Sequence, residues 1–511
     1  MSDKIIITNR SQLKKKYGNT TALDEAIKAM IAADKQRGIA TTVAYLDDAT
    51  QMKKFGGKAV TSAGSASQNK AAIDAVYKTT DADYLMILGA TDVIPYVRLR
   101  NPVPGDGDPY AYGDLPYACN AKYSTDPSKF IGPTRVLGRL PDLVGGNDAG
   151  YLTGLIEAAA GYVSRPSNDF SAYFGITAAV WNGSTALSLQ NTFGNSTNLH
   201  DCPPGGPTWT AAQLKPRSHF INCHGAAADP NFYGQKGNSY PVSLSSEDIA
   251  KKGLSDGTVA AVECCYGAEL YDPSLTGGQA GICNTFLQEG GYGFFGSTTI
   301  AYGPAAGNGA ADLIAQYFLQ NVLAGASIGR AALQARQKFV QNSGTMNPVD
   351  LKTLAQFYLL GDPSIHPVTL LQTHTVKADA TLMKGLAGTV MNLRAHRSNR
   401  RRQLISFGLS LAATIACARM SKTIKPAANV SRALRQIASN LKIVDFKVSS
   451  FSVKGGAIPK SVYARAAPRR VYHLIHGEAK KTAKGPITPR IAVVAEEQGG
   501  RIISLREYHK R

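Results

Sequence analysis

An α/β fold, with mostly parallel sheets covered by helices on both faces, is predicted by three observations. Short apolar runs recur through the first 370 residues, they are continuously apolar rather than alternating, and helix-period segments separate them. Strands and helices in that order need crossover connections, and crossovers join parallel neighbours.

Taken along the chain, strands are expected at 4–8 (KIIIT), 41–46 (TTVAYL), 84–89 (YLMILG), 135–140 (RVLGRL) and 174–181 (FGITAAVW). Four more are expected at 219–224 (HFINCH), 258–264 (TVAAVEC), 292–298 (YGFFGST) and 357–361 (FYLLG). Helical patterns fill 21–38 and 310–341. A stretch rich in Pro, Gly and Tyr, 101–127, reads as an irregular loop long enough to serve the site. A break at 164–169 (SRPSND) divides the body. The expected domains are therefore an N-terminal unit, 1–165, a catalytic unit, 166–372, and a C-terminal unit, 373–511.

Charge sets the last unit apart. Of 56 Lys+Arg and 36 Asp+Glu in the 511-residue chain, 27 and 6 fall after position 370, so the whole net charge of +20 belongs to the tail. A near-neutral body with a strongly basic small α+β domain follows, the latter a unit suited to an acidic protein, a nucleic acid or an anionic membrane. Within it the apolar stretch Leu404 to Ala418 is 15 residues long, short of the ~20 that a spanning helix needs. A core helix of the tail is expected there, then strands at 442–453, 470–476, 490–495 and 501–507, the last two joined by a Gly-Gly turn. The segment MSDKIIITNRSQLKKKYG has no apolar run of leader length, and seven irregularly spaced cysteines offer no disulfide framework. A cytoplasmic protein with free thiols is expected.

The chemistry lies in two strand ends. INCHG places His224 and Gly225 at the exit of one strand, and VECCYGAELYD places Glu263, Cys264, Cys265 and Gly267 at the exit of the next. Neighbouring parallel strands deliver the residues that follow them to one sheet edge, where open α/β sheets bind ligands. An imidazole beside a thiol can supply the thiolate and later protonate a leaving amine. Backbone amides of Gly225 and Cys265 are the expected oxyanion donors. No Cys/His spacing matches a zinc site and no GxxxxGK[ST] phosphate loop occurs.

These two motifs resemble the caspase-hemoglobinase clan (clan CD) of cysteine peptidases. YLMILGATDVIP (84–95), RVLGRLPD (135–142), GFFGSTTIAYG (293–303) and YLLGDPSI (358–365) resemble its gingipain-type, C25-like branch over residues 4–370. The resemblance implies a caspase/gingipain-like α/β/α sandwich, an N-terminal pseudo-caspase half packed on a catalytic half, that cleaves protein or peptide substrates. His224 is then the general acid/base and Cys265 the nucleophile. Spacing to Gly267 leaves Cys264 as the alternative, since a Cys-x-x-Gly pattern selects it.

With Cys265 chosen, Glu263 matches the acid that in metacaspases and clostripain lines the pocket for a basic P1 side chain. Asp229 and Asp272 are alternatives for shaping the cleft. The gingipain region carrying its own pocket aspartate and an orienting glutamate corresponds to 178–191, which holds no carboxylate here. No cofactor is required for the chemistry, and calcium activation, known in related families, finds no support in the residues. The expected activity is a cysteine endopeptidase, selective for Arg or Lys at P1 and autoprocessed or gated by its tail. The rival is a silent caspase-like scaffold whose basic domain binds nucleic acid or an acidic partner.

Overall fold

The structure is a computed structural model that describes residues 2–305, 307–369, 382–419, 424–454, 470–479 and 491–511, without the side chains of 382–396, 454, 478 and 479. Ten strands form the main sheet: β1 (Lys4–Thr8), β2 (Thr41–Tyr45), β3 (Tyr84–Leu88), β4 (Leu137–Leu140), β5 (Tyr173–Ala178), β6 (Leu199–Cys202), β7 (Ser218–Asn222), β8 (Thr258–Val262), β9 (Gly291–Ser297) and, after two short strands β10 (Tyr302–Gly303) and β11 (Thr345–Met346), β12 (Phe357–Leu360). Their order is β2-β1-β3-β4-β12-β9-β8-β7-β5-β6. All nine strands expected in the body are present. The main sheet also contains β6, whose polar sequence LHDC carries no apolar run.

Two parallel halves meet in this sheet. Every pairing is parallel except β9 with β12, where Phe294 to Ser297 run against Leu360 to Phe357. Each half repeats one order, β2-β1-β3-β4 against β6-β5-β7-β8, and β12 and β9 close them back to back. The architecture is the α/β sandwich of two caspase-like halves. β12 comes late in the second half yet lies beside β4 of the first half, through Leu360 and Arg139. Continuous burial explains the unalternating sequence: β1, β3, β7 and β8 have no exposed residue.

Helices cover the sheet with apolar stripes. Thr21–Gln36 buries Leu23, Ile27 and Met30, and Ala66–Thr80 begins at Ser65, whose hydroxyl accepts from the Gln68 amide. The helix expected over 310–341 is two helices, Ala311–Leu323 and Ile328–Ser343. Gly325, at φ +80°, turns the chain between them, and Ser327 caps the second.

The tail builds a second sheet from β13 (Ala416–Arg419), β14 (Ile443–Lys454), β15 (Arg470–Ala479), β16 (Ile491–Gln498) and β17 (Arg501–Lys510), with helix Ala428–Asn440 packed on it. The β16–β17 hairpin turns at Gly499 and Gly500, as the sequence suggests. This sheet does not close on itself. Its order is β10-β17-β16-β15-β14-β13-β11, so short body strands occupy both edges and satisfy the backbone groups that would otherwise be open there. The apolar stretch 404–418 is not a core helix of the tail either. It ends a helix, Leu382–Thr414, laid against the body: Gln337 donates to the Leu404 carbonyl at 2.8 Å, and Arg397 and Arg401 pair with Asp83 at 3.5 and 3.1 Å. No helix among the described residues is long and apolar enough to cross a membrane.

Lys4, fully buried in β1, fastens the first strand to the end of the body through Asp34, at 3.0 Å, and Asp362, just past β12. Truncating the cation would strand two buried carboxylates. Lys4→Met is expected to cost about 3–5 kcal/mol, read as a lower denaturant midpoint at unchanged slope.

Candidate active site

β7 and β8 are parallel neighbours in which Ile221 lies opposite Val262. Counting three residues beyond each member of that pair reaches His224 and Cys265. The register therefore delivers these two, at equal offset, to the same end of the sheet. His224 and Gly225 then open a small antiparallel flap with Asn231–Tyr233 and Val242–Ser245.

The adjacent cysteines diverge. Cys264 is fully buried, and its sulfur accepts from the Cys223 amide at 3.4 Å. Cys265 faces the wall that follows β9: its Sγ lies 3.3 Å from the Ala301 amide and 3.5 Å from the Ala301 carbonyl. Gly225 is essential to this arrangement, because a Cβ there would collide with the Cys265 carbonyl oxygen and stand 3.4 Å from Cys264 Cβ. The backbones expected to donate to an oxyanion are thus in contact.

His224 is oriented by a neutral group. Its Nε2 lies 2.7 Å from Gln235 Oε1, while the Gln235 amide nitrogen donates to Gly237 O at 3.1 Å and to Tyr240 Oη at 2.9 Å. The amide oxygen therefore faces the ring, Nε2 carries the proton, and Nδ1 is the basic nitrogen. The ring packs on Trp181 and Tyr240, with centroids 4.3 and 5.2 Å away. Burial pulls its pKa down to about 4, and the cations of Arg511 and Lys510 push the same way. Burial raises the Cys265 thiol to about 11, opposed by Lys510. Thiol and imidazole are both neutral in this arrangement.

Beside the dyad is a pocket filled by Arg511, whose side chain has no exposed surface. Its Nη2 lies 2.8 Å from Asp312 Oδ1, 2.8 Å from the Pro304 carbonyl and 3.3 Å from Ser184 Oγ. The guanidinium lies over the Trp181 ring at 4.4 Å, so one indole serves both Arg511 and His224. Glu263, also fully buried, faces Asp312. Burial and that neighbouring carboxylate raise its pKa well above the usual range, with Arg511 pulling it back. Gly303 gives the guanidinium clearance, since a Cβ there would overlap it. The backbone amide of Arg511 donates to the Ala301 carbonyl at 3.0 Å, the same oxygen that Cys265 Sγ approaches.

The sequence singles out His224, Cys265, Gly225 and Glu263, and all four border this region. It misses Asp312, Trp181, Ser184, Gln235 and Arg511. The stretch 178–191, without carboxylates, does line the pocket, through Trp181 and Ser184. Its acid comes instead from Asp312 in the first turn of helix Ala311–Leu323. Asp229 and Asp272 serve local turns, accepting from the Asn231 and Ser274 amides at 2.9 Å each. Among the described residues no cluster of His, Cys, Asp and Glu suits a metal ion.

Residues 239–368 match the model of peptidase family C25. The matched segment of the body is similar to the C25, gingipain-type cysteine peptidases. The match starts after His224 and takes in Cys264, Cys265, Ala301 and Asp312. No curated protein matches the chain. Gly225→Ala is expected to separate the two strand ends, giving a lower melting temperature and loss of peptide hydrolysis.

Proposed function

We propose that the C25 body is an endopeptidase that cleaves after arginine, with Cys265 as nucleophile and His224 as acid/base. The observation that carries this reading is Arg511, a buried guanidinium held by Asp312 and Trp181 while its backbone amide shares the Ala301 carbonyl with Cys265. A substrate arginine in that position would bring its own carbonyl toward the thiol.

Cys265 Sγ attacks that carbon as its proton passes to His224 Nδ1. The tetrahedral oxyanion receives hydrogen bonds from the Gly225 and Cys265 amides. Collapse expels the amine, which takes the proton from His224, and leaves a thioester. Water, deprotonated by His224, then releases the acid and restores the thiol. Gln235 is a positioning residue that holds Nδ1 toward the reaction.

Selection for arginine rests on charge and shape. Asp312 supplies the charge-assisted bond, and Glu263 stands behind it as the second acid. In this reading the direct contact is Asp312, and Glu263 is its support. Self-processing of the arginine-rich tail, and gating by it, belong to the same reading. Seven free, buried thiols suit a reducing compartment. The rival reading, a silent scaffold with a nucleic-acid-binding tail, loses part of its basis because Arg397 and Arg401 are engaged with Asp3, Asp81 and Asp83.

With a fluorogenic peptidyl-arginine amide, Cys265→Ala is expected to abolish turnover and Cys264→Ala to retain it. The reverse pattern would move the nucleophile to Cys264. Asp312→Asn is expected to lower kcat/KM for arginine substrates about 10- to 100-fold, the value of one charged hydrogen bond. Gln235→Leu should depress kcat with little change in KM, and Gln235→Glu should recover it while raising the His224 pKa, because a carboxylate at Nε2 favours the imidazolium. An unchanged kcat in Gln235→Leu would remove the positioning role.

A further inference from the structure

β17 carries the tail sheet to the body, pairing there with the short strand β10. Over most of its length it pairs with β16, from Arg501 opposite Gln498 to His509 opposite Ile491. At its far end it also runs antiparallel to β10, with His509 opposite Gly303 and Lys510 opposite Tyr302. β10 directly follows Ala301, whose backbone brackets Cys265. The last residues of β17 therefore lie where a peptide would lie to reach the thiol, added to a body strand by backbone pairing.

Two side chains anchor that end. Arg511 fills the pocket of Asp312 and Trp181. Tyr508, 3% exposed, reaches the cap of helix Pro348–Gln356, where Asn347 Nδ2 donates to its hydroxyl at 3.1 Å. His509 and Lys510 between them are only half-buried. A cavity of about 650 Å³ flanks the strand beside Tyr508, lined by Pro304, Leu313, Phe339 and Asp350 among others.

We propose that β17 is a resident, substrate-like strand that holds the peptidase closed, and that a peptide able to displace it carries the same two anchors, an aromatic residue three positions before an arginine. This rests on the reading of the Asp312 pocket as the P1 site. The strand is built for exchange. Among the described residues two residue pairs join it to β10, whereas its hold on β16 keeps it near the cleft when that end lets go. An incoming peptide of the same pattern competes against a tethered copy at high effective concentration. Turnover in the full chain is accordingly low until the tail is drawn away.

The test uses the full chain as wild type, Arg511→Ala, Arg511→Lys and Cys265→Ala. Iodoacetamide labelling of Cys265, mapped by mass spectrometry, reads access to the thiol without relying on catalysis. Hydrolysis of Tyr-His-Lys-Arg and Ala-His-Lys-Arg coumarin amides reads turnover and the aromatic anchor. Arg511→Ala is expected to label and to hydrolyse about tenfold faster or more than wild type, the loss of one charged hydrogen bond. Arg511→Lys, which keeps a cation in the pocket, should fall between them and carries the test if the alanine variant does not fold. The tyrosine peptide should be preferred over the alanine peptide.

Faster labelling with no hydrolysis by any variant would support the closed strand and overturn the arginine-peptidase reading. Hydrolysis that needs Cys265 but is equal in wild type and Arg511→Ala, with equal labelling, would support the peptidase and overturn the closed strand. Equal kcat/KM for the two peptides would overturn the aromatic anchor.

Discussion

A lysine without exposed surface holds the candidate site in shape. Lys352, in helix Pro348–Gln356, pairs with Asp106 and with Asp108, the latter at 2.7 Å, and both acids come from the Pro-, Gly- and Tyr-rich loop of the N-terminal half. Asp108 does more than neutralise the cation. One of its oxygens accepts from Tyr266 Oη at 2.6 Å, immediately after Cys265, and the other accepts from the Ile300 amide at 2.9 Å, immediately before Ala301. Both walls around the thiol are thereby tied to one carboxylate. Because a buried charge left unpaired is strongly destabilising, these three residues move together or not at all. The first half of the main sheet thus contributes rigidity to the second.

The same logic explains what could be read in the chain and what could not. β1, β3, β7 and β8 were legible because burial on both faces requires continuous apolar sequence, and the strand-end positions of His224 and Cys265 follow from local order alone. The loop 101–127 stood out by composition, yet its role depends on Lys352, more than 240 positions away, and ion pairs at that separation leave no local pattern. Asp312 reads in sequence as an ordinary acid in a helix's first turn. Gln235 has no titratable group to draw attention. The tail's β16–β17 hairpin is announced by its Gly-Gly turn, but the open edges of its sheet call for partners without naming them, and β10 and β11 are too short to be seen as strands beforehand.

The pocket beside the dyad has an electrostatic requirement of its own. Asp312 and Glu263 are both withdrawn from water and face one another, and two ionised carboxylates at such a site repel. Glu263, with its raised pKa, relieves the repulsion by favouring the protonated state, and Asp312 pairs with a single guanidinium. A neutral side chain would leave Asp312 buried without a partner, which is a stronger ground for rejecting it than any lost contact. An empty pocket faces the same difficulty. It leaves the Asp312 carboxylate buried without a cation, which is unfavourable. Arg511 meets that requirement from within the chain. The feature that would make the site selective also gives it a reason to be occupied at rest, and an arginine on a tethered strand is the occupant nearest at hand.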